Sequence, residues 1–127
     1  MDQLTVRIGI RPWSLNAERR SHRFARADLV KDTRWAAFCS ARLSMADNEV
    51  PDERPLFDKV SIVVQPWAKD RRYRQDIANC FPCAKACIDG LVDAEVIADD
   101  DDSHLVSLTF APHKYGRDEL EILVRRT

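Results

Sequence analysis

The residues that could do chemistry crowd into one segment: between Asp76 and Asp102 the chain reads DIANCFPCAKACIDGLVDAEVIADDDD. Asp76 stands three residues before Asn79, Lys85 stands four before Asp89, and Asp99, Asp100, Asp101 and Asp102 run consecutively. Two carboxylates about 4 Å apart repel by roughly 1 kcal/mol in water and about 4 kcal/mol at an effective dielectric of 20. Such crowding is tolerated in solvent or around a divalent cation. Immediately upstream, Lys69-Asp70-Arg71-Arg72-Tyr73-Arg74 supplies the opposite charge. A cation-seeking cluster beside a phosphate-seeking one is what metal-dependent phosphodiester chemistry requires.

Hydrolysis of a phosphodiester needs an activated water, charge relief in the transition state and a stabilised leaving oxygen. A hard cation held by two or three carboxylates serves the first and last of these. Asp76 precedes the helix predicted for this segment and the acidic turn follows it, so the two meet only if the flanking strands are neighbours. Lys85, on the second turn of that helix, is placed to favour developing negative charge. Its plainer role is an i,i+4 pair with Asp89, worth about 0.3–0.5 kcal/mol. Asn79 reads first as a helix N-cap and second as a substrate or metal-shell contact. Arg71, Arg72 and Arg74 suit phosphate contacts that give affinity without sequence information, with Lys69 beside them. Arg19, Arg20, Arg23 and Arg26 extend that basic surface, and Tyr73 offers a stacking face.

The cysteines carry a competing account. Cys80, Cys83 and Cys87, with His104 or His113, are acceptable zinc ligands by type. Common zinc modules, however, place two ligands on a turn and two elsewhere. Spacings of three and four residues instead put the cysteines on one helical face, as small buried apolar groups in a reducing compartment.

These groups must be positioned by the rest of the chain. Leu4, Val6, Ile8 and Ile10 alternate with polar or small residues, the mark of a half-buried strand ended by Pro12. A polar loop over 14–21 leads to a helix expected from Ser21 or His22 to about Met45. Phe24, Ala27, Leu29, Val30, Trp35, Phe38 and Leu43 supply its apolar positions, with a break expected near Asp32 and Thr33. Val60–Val64 is a β-branched strand closed by Pro66. After the basic loop comes a helix over 79–92, with Pro82 in its first turn and Ala84, Cys87, Ile88 and Leu91 toward the core. Strands at Leu105–Phe110 and Leu120–Val124 follow, joined by a loop containing Pro112 and Gly116. The order β-α-β-α-β-β predicts an α/β (α+β) fold: a small mixed sheet of about four strands with two helices on one face.

The length of 127 residues suits one domain spanning 1–127. The 45% hydrophobic and 32% charged fractions fit a soluble globular chain. With no span of about 20 apolar residues and no signal-peptide core, the expectation is a cytoplasmic protein that does not engage membranes. Net charge is −1, yet its distribution is segregated. Residues 11–34 hold seven Arg/Lys against three acids, and residues 89–102 hold seven acids and no base.

A basic loop leading to Asp76-x-x-Asn79, then Lys85-x-x-x-Asp89-Gly90-Leu91, then Asp99-Asp100 before an apolar strand, resembles the RusA-type Holliday junction resolvases. The likeness covers about residues 58–125 and is most specific over 76–106. It implies a homodimer that uses Mg²⁺ or Mn²⁺ to nick opposing strands of a four-way, branched DNA junction, with no small-molecule cofactor. It further implies Asp76 and Asp100 as metal ligands, Asp99 and Asp89 as secondary ones, and Lys85 near the scissile phosphate. The best-known members carry Asp-x-Asp-Asn where this chain has Asp76-Ile77-Ala78-Asn79, and they have three fewer residues before the lysine. A DNA-binding protein that has lost catalysis is the alternative.

Overall fold

Alternation of large apolar residues builds the sheet. A computed structural model describes residues 1–14 and 23–127, with side chains from Ala25 onward in the second stretch. The elements are β1 (Gln3–Ile8), α1 (Arg23–Asp47), β2 (Val60–Ala68), α2 (Phe81–Asp93), β3 (Leu105–Phe110), β4 (Lys114–Tyr115) and β5 (Glu119–Arg126). Strand order is β1-β5-β2-β3, with β4 beside the end of β2. β5 runs antiparallel to both β1 and β2, whereas β3 and β4 run parallel to β2. The mixed α/β architecture expected from the sequence is therefore present, with β4 as an addition inside the predicted Pro112–Gly116 loop.

The register aligns the buried residues in rows. Leu4, Val124 and Ile62 form one row, and Val6, Ile122 and Val64 the next. All six are buried, on the face that carries the helices. Removing such side chains from water contributes about 1.5–3 kcal/mol each. From α2 the same core receives Ala84, Cys87, Ile88 and Leu91, all buried as the helical spacing predicts.

Two details of α1 differ from the sequence expectation. Its core stripe is Thr33, Ala37, Ala41 and Met45, at intervals of four, while Trp35 and Leu43 stay 64% and 62% exposed. At Ala37 the residue must be small because α1 lies against α2 at Gly90, where a larger side chain would not fit. The helix also passes unbroken through Asp32 and Thr33. The Thr33 hydroxyl is buried but satisfied, accepting a 3.0 Å hydrogen bond from Trp13 Nε1. Thr33→Val keeps the shape and orphans the indole N–H, so a loss of about 1–2 kcal/mol in urea unfolding is expected. A change within error would show that this bond contributes nothing net. The expected helix start at Ser21 or His22 and the polar loop over 15–21 lie outside the described residues.

Pro66 does not close β2, which continues to Ala68. Val64 O accepts from Ala111 N and Ala68 O from Gly116 N, both at 2.9 Å. By alternation Pro66 faces that same side, in the gap after β3 ends and before β4 begins, so no ladder N–H is lost. The Gln65 amide fills this gap, donating to the carbonyls of Pro66 (3.0 Å) and Pro112 (2.7 Å). β1 ends at Ile8, ahead of the predicted Ile10, whose N–H turns back to Ile8 O at 2.8 Å.

Parallel β2 and β3 require a crossover connection. That crossover contains the basic loop, α2 and the acidic turn. No described helix is long and apolar enough to cross a membrane.

Candidate active site

Lys85 lies on the second turn of α2, and its ammonium joins two carboxylates distant in sequence. Nζ lies 2.6 Å from Asp89 Oδ1 and 2.6 Å from Asp100 Oδ2. The Asp89 contact follows from helical spacing; the Asp100 contact requires the chain to fold back after α2. Buried Val96 and Ile97 anchor that return. Leu56 N and Phe57 N donate to Glu95 O and Val96 O at 3.0 and 2.9 Å.

Partial burial works against the charged Lys85, but hydrogen bonds to Asp100 and then Asp89 outweigh it and raise the pKa above the ordinary lysine value. The Lys85 hydrogen bond holds the Asp100 carboxyl below its ordinary value. A depressed carboxylate contributes stability that is full above its unfolded pKa, near 3.9, and lost as pH falls through the folded value. Lys85 has the opposite sign, with its share lost only as pH rises through its raised value. Unfolding free energies at pH 5 and pH 3 should therefore show an acid-side decline that is shallower in Lys85→Met. An equal slope in both proteins would remove this pair from the acid response. Side-chain exposures of 46% for Lys85 and 23% for Asp100 keep the stabilisation modest.

The other aspartates of the turn bond largely to its own backbone. Asp99 Oδ1 accepts from Asp100 N at 2.8 Å, and Asp101 Oδ1 accepts from Ser103 N at 3.0 Å. Asp101 and Asp102 are exposed, as expected of extensions to the turn.

Asp76 is exposed at the start of a short 3₁₀ turn over Ile77–Cys80. Its carbonyl accepts from Asn79 N at 2.9 Å, while its carboxylate makes no capping bond. The strands flanking the crossover are neighbours, yet among the described residues no hydrogen bond or ion pair ties Asp76 to Lys85, Asp89 or Asp100. Asn79 is not the N-cap of α2. The helix begins at Phe81 with Cys80 in the cap position, because the 3₁₀ turn takes up Asn79 first.

The basic loop is internally braced. Arg72 grips Asp70 through Nε and Nη2, the latter at 2.7 Å, and this bonding lowers the Asp70 pKa to about 2. Arg11 lies 4.4 Å over the Tyr73 ring and Arg72 5.7 Å from its centre, so the proposed stacking face is already covered by cations. Arg71 sits over Tyr115. Lys69 donates its backbone N–H to Asp118, and Arg74 has no ion-pair partner among the described residues. Arg19 and Arg20 lie outside the described residues, as does the Arg23 side chain. Sequence reasoning missed Arg11 in this cluster, since local spacing cannot reveal a contact across some sixty residues.

Cys80, Cys83 and Cys87 are buried, as the apolar reading expects. Burial pushes the Cys80 thiol up to about 11. Among the described residues no three His, Cys, Asp or Glu side chains converge closely enough to hold a metal ion. Mg²⁺, however, commonly takes only one or two protein carboxylates, with water and substrate phosphate completing its shell. Lys85 uses one oxygen from each partner, leaving Asp89 Oδ2 and Asp100 Oδ1 without a partner among the described residues. Those hard oxygens fit such an ion.

No protein-family model matches this chain, and no curated protein matches it.

Proposed function

We propose that this protein is a Mg²⁺- or Mn²⁺-dependent endodeoxyribonuclease of RusA type, nicking branched DNA as a cytoplasmic homodimer. The observation that carries the reading is the Lys85 ammonium held between Asp89 and Asp100. It brings together three of the residues that the resemblance implies for the site, one cation and two carboxylates. In this reading the free oxygens of Asp100 and Asp89 hold the ion, and Asp76 and Asp99, the other ligands that the resemblance implies, reach it only if DNA binding rearranges the loop and the turn. When bound, the ion supplies an activated water and charge relief at the leaving oxygen. Lys85, oriented by its carboxylates, offers positive charge to the phosphate as it becomes more negative. Arg71, Arg72, Arg74, Lys69 and Asn79 serve strand binding, with Arg19, Arg20 and Arg23 extending the surface. A two-fold dimer matches a junction with two symmetric scissile strands.

Ala78, standing where the resemblance expects a second carboxylate, favours the other reading, in which the chain binds branched DNA without cutting it. Incubation of a labelled four-way junction with Mg²⁺, Mn²⁺ or EDTA, against a linear duplex, separates the two. Paired symmetric nicks at the junction that vanish in EDTA support the nuclease. Tight junction binding without nicks in either metal supports the binding protein.

A further inference from the structure

A cleft of about 420 Å³ opens between the end of β1, the basic loop and the β3–β4 connection. Arg11, Arg72, Arg74, Gln75 and His113 line it. Two of the three guanidinium groups are held by carboxylates: Arg72 by Asp70, and Arg11 by Asp118 at 3.5 Å. Of the three, Arg74 is the one with no ion-pair partner among the described residues.

Two side chains in its wall, Gln75 and His113, carry unsatisfied polar atoms. Gln75 Nε2 donates to Pro12 O at 3.2 Å, but Gln75 Oε1 is buried with no partner. Both ring nitrogens of His113 are likewise buried and unpaired. Each orphaned group forfeits its hydration, a cost that native interiors seldom carry without a use. A neutral imidazole offers one donor and one acceptor, and burial does lower the His113 pKa. Beside Arg74, a cation, the cleft wall thus holds beneath its surface an unpaired acceptor and an unpaired group of both kinds. An isolated phosphate is much smaller than the cleft. A nucleotide has an anionic phosphodiester, a base edge with donors and acceptors, and a fitting size.

We propose that this cleft seats one nucleotide of a DNA strand, its phosphodiester at Arg74 and its base edge against Gln75 and His113. Reaching those buried atoms requires a side-chain rotation, so binding and local rearrangement are coupled. The choice of DNA rests on the nuclease reading above; the cleft and its unpaired atoms do not.

The test is fluorescence anisotropy with a labelled single-stranded DNA hexanucleotide in EDTA, using wild type, Arg74→Ala and His113→Phe. Arg74→Ala is expected to weaken binding about tenfold and to flatten the salt dependence by roughly one phosphate contact. His113→Phe should weaken binding about fivefold while raising Tm, because a phenyl ring fills the site without orphaned nitrogens. A fall in Tm would mean those nitrogens are structurally engaged, and would overturn the proposal. So would absence of wild-type binding, or equal affinity in all three proteins. Junction nicking in Mg²⁺, measured alongside, keeps the two readings apart. Nicking with no cleft-dependent binding overturns the cleft alone. Cleft-dependent binding without nicking upholds the cleft and overturns the nuclease.

Discussion

Asp100→Asn is expected to lower divalent-dependent junction nicking by at least a hundredfold while leaving junction affinity within a few-fold of wild type. Asn preserves the shape and one acceptor oxygen but removes the charge that a hard cation and the Lys85 ammonium both require. Loss of a preorganised electrostatic group of this kind costs about 10²–10³ in rate. Lys85→Met should have a comparable effect, and the double variant should fall little below either single one, because groups acting as a unit are not additive. Stability should barely move. The Lys85–Asp100 contact is 2.6 Å long but solvent-accessible, so its net contribution is below about 1 kcal/mol. Wild-type nicking in Asp100→Asn would end the assignment of this cluster to catalysis.

Gly90→Ala is expected to be the most damaging small substitution for the fold. A Cβ at Gly90 would collide with Arg34 O and would lie 2.7 Å from Ala37 Cβ and 2.9 Å from Phe38 N. Two of these atoms are α1 backbone and the third is a short, buried side chain, so none can swing aside. Intrinsic helix propensity favours Ala over Gly by about 1 kcal/mol. Forced separation of the two helices opposes it with a larger cost, since overpacking alone runs about 1–3 kcal/mol or more. A net loss of about 2 kcal/mol, or roughly 8 °C in Tm, should follow. Gly9→Ala is the control, because its Cβ would meet nothing within 4 Å. Equal Tm values for the two variants would show that the helices can part without cost.

Periodicity made the sheet and α2 legible, because alternate burial in β1, β2 and β5 leaves a direct mark on residue type. It failed where tertiary contacts reassign a residue. Thr33 looked like a helix breaker until its hydroxyl acquired Trp13, and Pro66 looked like a strand terminator until the sheet left a gap opposite its missing N–H. Trp35 and Leu43 are apolar by type, but the buried stripe of α1 follows Thr33, Ala37, Ala41 and Met45, and at Ala37 the close approach of Gly90 admits only a small side chain. Within the candidate site, Lys85 with Asp89 followed from helix geometry alone. Its union with Asp100 depends on how the chain returns after Asp93, which local sequence does not encode. Arg11 and His113 were invisible as cleft residues because separate loops bring them there.

The broken side of the sheet has a bearing on colloidal behaviour. An edge strand with a long run of unpaired amides is a template for another chain. Here that side carries six residues of β3, an irregularity between Val60 and Ser61, the Pro66 gap, and then a two-residue β4. An incoming strand would lose register at the gap and find little to pair with beyond it. The interruption that admits Gln65 between Pro66 and Pro112 also limits edge-to-edge stacking of copies at high concentration.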